Sequence, residues 1–80
     1  MATEWEVRVA VEEILASVLY ESPESLRAHP ALACHKWDSV AVMESFVRLE
    51  KSLSIRLDLR AFRAARTVDD VVGLVSQIAR

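Results

Sequence analysis

Hydrophobic and polar positions alternate along the chain with a helical rhythm. From Trp5 to Tyr20, Val7, Val11, Ile14, Leu15 and Val18 recur at helical spacing, while Glu6, Arg8, Glu12, Glu13 and Ser17 supply polar surface. This predicts a first long helix. The next stretch, "ESPESLRAHPALACHK" from Glu21 to Lys36, holds both prolines and sustains no period, so it reads as a long loop. Ser22 followed by Pro23 suits the start of a single helical turn there, and Leu26 and Leu32 are the candidates to anchor the loop to the core.

A second long helix is predicted from Ser39 to about Leu53. At about 100° per residue, Val42, Phe46, Leu49 and Leu53 fall within a sector of about 60°, which must face the core. Val40 and Val47 point the opposite way with Glu44 and Lys51, and Met43 lies between the two sectors. The alternation in "SIRLDL", Ser54 to Leu59, is too short for a strand and has no partner, so an extended connector is expected. "LRAFRAAR" then makes a short helix buried through Leu59 and Phe62. Thr67 caps a last helix with Val68, Val71, Val72, Val75 and Ile78 on one stripe and Asp69 and Asp70 in its first turn. Gly73 inside that helix costs about 1 kcal/mol relative to Ala. The pattern predicts an all-α fold, a small bundle of three longer helices plus one short helix, forming a single domain over residues 1–80.

Length and charge narrow the functions open to such a bundle. Eighty residues leave little room for a deep enzyme cleft. The one Cys excludes an internal disulfide, and a free thiol without a secretory signal suits a reducing cytoplasm. Uncharged stretches fall short of the roughly 18 to 20 apolar residues that span a bilayer, so a soluble protein without membrane insertion is expected. The net charge of −2 hides an acidic first third, rich in Glu, and a basic stretch that gathers Arg48, Lys51, Arg56, Arg60, Arg63 and Arg66. That asymmetry bears on partners through steering rather than on fold.

The candidate chemistry lies in "KWDSVAVMESF". Asp38 is already a good N-cap, because its carboxylate can accept from free backbone N–H groups of the first turn. Ser39 is therefore not needed for capping. Its hydroxyl, near the positive end of the helix dipole, is well placed to meet an anion such as phosphate, and equally well placed to face water. Val40 and Val47 suggest a small docking patch with a charged rim, although single exposed aliphatic residues are common.

"WDSVAVMESFVRLEKSLSIRLDL" followed by "TVDDVVGLVSQI" resembles the acyl carrier and peptidyl carrier proteins, whose mark is Asp-Ser-Leu at the start of helix two. Asp38 and Ser39 match that motif, and Val40 stands where Leu is usual. The resemblance covers most of the chain. It implies that Ser39 bears 4′-phosphopantetheine, transferred from coenzyme A by a phosphopantetheinyl transferase, and that the arm's thiol holds acyl or aminoacyl groups as thioesters. It also implies that Asp38 assists the transferase. Val40, Met43, Glu44, Val47, Lys51, Arg60 and Arg63 become the expected partner-docking residues, serving a loading enzyme and downstream synthase or tailoring enzymes.

Carriers of fatty acid synthesis are commonly acidic along helix two and have Gly shortly before Asp-Ser. Here Lys36 and Trp37 occupy that approach and the downstream region is basic. These departures point to a discrete carrier in a specialised, natural-product pathway, and a monomer is expected. The chain is expected to be a carrier, not an enzyme.

Other readings compete for the same residues. His29, Cys34 and His35 suggest a metal or thiol site, but no further Cys or His cluster completes it, so a loop thiol packed as a hydrophobe beside solvated histidines is expected, with no metal. The spacing of Arg56, Arg60, Arg63 and Arg66 could form a nucleic-acid face; it lacks aromatic or amide base readers in an acidic chain, so no nucleic acid is expected. A non-covalent helical adaptor would explain Val40 and Val47 but not Ser39.

Overall fold

Each helix of the computed structural model, which describes residues 3–78, begins where local chemistry dictates. Residues 1, 2, 79 and 80 of the expected 1–80 span lie outside the described residues. α1 (Glu4–Leu19) starts at Thr3, whose hydroxyl accepts from Glu6 N–H, and ends at Tyr20 in the left-handed region (φ 57°). There the Glu21 N–H reaches back to the Ala16 carbonyl at 2.9 Å, closing the last turn. α2 (Pro23–Ala28) carries Pro at its first position under a Ser22 cap. A short 3-10 turn covers Leu32–Cys34. α3 (Ser39–Leu53) is capped by Asp38 and ends at Ser54, again left-handed (φ 52°). α4 (Leu59–Ala64) is capped by Asp58, and α5 (Val68–Ile78) begins after Thr67.

The long and short helices stand in the expected order, with one addition. The stretch read as a loop contains α2, nearly two turns long rather than one. Its reason is tertiary. Leu26 is buried, and Arg27 donates to Glu12 of α1 through Nε at 3.1 Å, with a terminal guanidinium nitrogen 3.0 Å from the same carboxylate oxygen. Glu12, expected at the surface, is thereby buried with a charge partner, as a carboxylate in a core must be.

α1 packs against α2, α3 and α5, and α4 bridges α3 and α5. Val11 and Leu15 of α1, Leu26, Leu32, Leu49, Phe62, Val71 and Val75 are almost wholly removed from water. The loop ahead of α3 is tied to the start of α5: Leu32 N–H donates to the Arg66 carbonyl and Val68 N–H to the Pro30 carbonyl, each at 2.9 Å. Leu32 is thus an anchor, as expected. Leu59 is only half-buried, and Ile78 is exposed, so the stripe of α5 closes at Val75.

α3 faces the core differently from its sequence pattern. The fully buried line is Ala41, Ser45 and Leu49, while Val42, Phe46 and Leu53 flank it half-buried. The inward direction is rotated by roughly 70° from the apolar sector, given about 100° per residue. Small side chains at Ala41 and Ser45 occupy the line of closest packing, and the larger Phe46 reaches sideways to Phe62, with ring centroids 5.7 Å apart. The rotation has a direct consequence for the outer face. Met43, Val40 and Val47 come to lie together opposite the core, all exposed.

Candidate functional site

The site is built from the turn that opens α3. Asp38 adopts an extended conformation and its Oδ1 accepts from Ala41 N–H at 2.9 Å, while its carbonyl accepts from Val42 N–H. Asp38 therefore does the capping. Ser39, the first helical residue, is exposed and takes no part in the cap. Its hydroxyl sits where the free N–H groups and the positive end of a helix of 15 residues favour an anion.

The approach to Ser39 is held firmly. The Trp37 ring lies 6.0 Å from Phe62, centroid to centroid, tilted by 58°. Just before it, the His35 side chain is only 2% exposed; its Nδ1 lies 2.8 Å from both carboxylate oxygens of Glu21 and its Nε2 2.7 Å from the His29 carbonyl oxygen. His35 is thus a buried tether and not the solvated residue expected. Cys34, expected to pack inward, is exposed. Among the described residues, no group of three or more His, Cys, Asp or Glu side chains comes together as a metal site.

The structure gathers most of the expected docking residues around Ser39. Val40, Met43, Glu44, Val47 and Lys51 line one open groove with Ser39 and Arg48. Val40 is 69% exposed and Val47 49%, so the apolar centre is offered to solvent. The rim is less basic than the sequence suggests, because Arg48 pairs with Glu44 at 2.9 Å and donates to the Ser17 hydroxyl at 3.0 Å. Lys51 and Arg60 are exposed.

Arg63 shares with Ser39 a separate recess between α3 and α4, whereas Arg60 lines neither that recess nor the groove. Sequence reasoning gave the two arginines equal standing. It also missed Tyr20, 96% exposed, which with Lys36 borders a recess on the α1 side of the cap. The "KW" before Asp-Ser was a signal for Lys36; nothing local could have brought Tyr20 there.

An exposed hydroxyl left over from capping, on a small helical base with an apolar outer face, suits a carrier domain. The family comparison agrees: the model described as "phosphopantetheine attachment site" matches residues 9–75, and the chain belongs to that family. No curated protein and no solved structure matches it at a significant level. Members covalently bind 4′-phosphopantetheine, are not themselves enzymes, and work with a phosphopantetheinyl transferase and biosynthetic enzymes. Among the described residues no helix is long and apolar enough to cross a membrane.

Proposed function

We propose that Ser39 is the residue that carries the phosphopantetheine arm, and that the domain presents acyl or aminoacyl groups to the enzymes of a specialised biosynthetic pathway. One observation carries this reading: Ser39 is exposed at the first turn of α3 while its neighbour Asp38 satisfies the cap. The local residues fit the group. Ser39 would hold it covalently, and the N–H groups and dipole of α3 favour its phosphate. When bound, the group supplies a thiol at the end of a long flexible arm, and the protein contributes attachment and orientation.

Val40, Met43 and Val47 form the apolar centre of the docking face, with Glu44 and Lys51 at its rim and Arg60 farther off as a steering charge. Contacts of that kind slow dissociation, while rim charges act mainly on encounter. The specialised pathway is supported by Lys36, Lys51 and the downstream arginines, which give partners a more basic surface than an acidic helix would. An exposed free thiol at Cys34 supports a reducing compartment, the cytoplasm.

The test is mass spectrometry after incubation with coenzyme A and a broad-specificity transferase. Wild type should gain one phosphopantetheinyl group. Ser39→Ala should fold with a stability change within about 0.5 kcal/mol and gain no mass. Equal modification of Ser39→Ala would remove Ser39 from its role.

A further inference from the structure

Two recesses flank the start of α3, and their charges differ. The one toward α1 is lined by Lys36 as its single cation and by two carboxylates, Asp38 and Glu44. The one toward α4, about 340 Å³ in volume, is lined by Trp37, Asp38, Ser39, Val42, Met43 and Arg63, with Ala65 at its edge. There one cation faces one carboxylate, and the Asp38 carboxylate is also engaged by the Ala41 N–H. Of the two recesses, only the second includes Ser39.

Arg63 differs from the arginines that serve the fold. Arg8 pairs with Asp69 at 2.7 Å, Arg27 with Glu12 at 3.0 Å and Arg48 with Glu44 at 2.9 Å. Arg63 forms no such pair among the described residues. Nor is its direction arbitrary. Phe62, the preceding residue, is fully buried and held between the rings of Trp37 and Phe46, which fixes the rotation of α4. That rotation puts Arg63 among the residues that line the recess holding Ser39.

We infer that Arg63 is the counter-charge for the phosphate of the arm carried on Ser39, drawing the arm's first atoms to the α4 side of α3. This rests on Ser39 being the attachment residue. A phosphodiester on Ser39 adds one negative charge beside Asp38. The helix dipole attracts that charge but does not choose between the two recesses. The choice falls to the side chains. The outer groove of α3 also borders Ser39, but its cations, Arg48 and Lys51, stand about 14 and about 18 Å along the helix axis from it. The recesses at the cap therefore decide, and of these only the one on the α4 side offers a cation without a second carboxylate. A guanidinium also suits two phosphate oxygens at once. Arg63 is therefore a positioning residue for the arm, and Arg60, three residues earlier and outside the recess, is its control.

The experiment compares apo and phosphopantetheinylated forms of wild type, Arg63→Gln, Arg63→Lys and Arg60→Gln at low salt. Mass spectrometry first reports modification. Calorimetry then gives the change in Tm on modification, and phosphorus NMR gives the phosphodiester resonance. Modification should shift the Tm of Arg63→Gln about 2 to 4 °C more unfavourably than that of wild type, as expected for one exposed ion pair in a domain of this size. The phosphorus resonance should move toward its position in the denatured holo-protein in Arg63→Gln alone, and Arg63→Lys should restore part of the difference. If wild type gains mass but Arg63→Gln and Arg60→Gln behave alike, the role of Arg63 is overturned while Ser39 stands. If wild type gains no mass, the Ser39 reading falls and takes this one with it.

Discussion

α3 and α5 are both capped helices of the same bundle, yet they use their residues for different ends. At the start of α5 the polar groups close on one another: Asp70 N–H donates to the Thr67 hydroxyl at 3.0 Å, and the Asp70 carboxylate accepts from Thr67 and Arg66 N–H at 3.1 and 3.0 Å. At the start of α3 the cap is complete with Asp38, and the next hydroxyl remains exposed. The flanks differ in the same sense. Val68, Val71, Val72 and Val75 of α5 are all buried, whereas α3 turns Val40, Met43 and Val47 to solvent. At its start α5 leaves no hydroxyl over and buries its valines, whereas α3 keeps both an exposed hydroxyl at its first residue and a shared apolar outer face.

Core substitutions give the largest effect by which this contrast can be broken. Leu49→Ala, on the inner line of α3, should cost about 2 to 5 kcal/mol, a large part of the stability of so small a domain. Val71→Ala in α5 should cost about 1.5 to 3. Val47→Ala should cost about 0.5 or less, because its side chain already faces water. Chemical denaturation of the three variants decides the matter. A cost for Val47→Ala equal to that of Val71→Ala would make the outer face of α3 part of the core.

The inner face of α3 offers a second, smaller test. Ser45 is fully buried and its hydroxyl has no hydrogen-bond partner; the buried hydroxyl of Ser76 in α5 has none either, though that residue is only half-buried. An unpaired hydroxyl in a core is unfavourable, and Ala is the better helix former. Ser45→Ala should therefore raise stability by about 1 kcal/mol, and Ser76→Ala by less, since a half-buried side chain can turn toward water. Loss of stability in Ser45→Ala would mean that this hydroxyl is paired, and that the close packing of α1 on α3 depends on it.

Much of this was legible in the chain because it is local. The helical period marked α1, α3, α4 and α5, and a single residue each, Asp38 and Thr67, marked where two of them begin. Asp38 also showed why Ser39 was spare. What stayed hidden depends on partners distant in sequence. α2 has only Leu26 to offer a period, and its helix is secured by the Arg27 contact with Glu12 fifteen residues earlier. His35 reads as a loop histidine until the turn that closes α1 brings Glu21 to it. The rotation of α3 is hidden in the sequence because a count of apolar residues follows the bulk of Phe46 and Leu53, whereas close packing follows the small Ala41 and Ser45. Arg60 and Arg63 are equivalent in the sequence, and only the burial of Phe62, which fixes the rotation of α4, separates them: Arg63 lines the recess that includes Ser39 and Arg60 does not.

The smallest effect is local and comes from pH, because the approaches to the two helices are held by groups of opposite kind. Ahead of α3, both ring nitrogens of His35 meet acceptors, an arrangement only the imidazolium satisfies with two N–H donors. Burial disfavours that charge, but the His29 carbonyl and the Glu21 carboxylate outweigh it and hold His35 above its ordinary value. Glu21 is held below its own, first by the Ser25 hydroxyl and then by His35, with His29 the other nearby titratable group. A raised His value means that its stabilisation is fully present below about pH 6.5 and is lost as pH rises through the folded value. Glu21 contributes above about pH 4.3 and fails only as pH falls through its lowered value. Ahead of α5, the Asp70 carboxylate is held low by the Arg66 and Thr67 N–H groups, so that approach weakens only in acid. Raising pH from about 6.5 upward through the folded value of His35 should therefore shift the backbone amide resonances of residues 35–40 and leave those of 66–70 in place. His35→Gln should abolish the shift at 35–40. Equal movement of both segments, or of neither, would show that the His35 tether does not control the approach to Ser39.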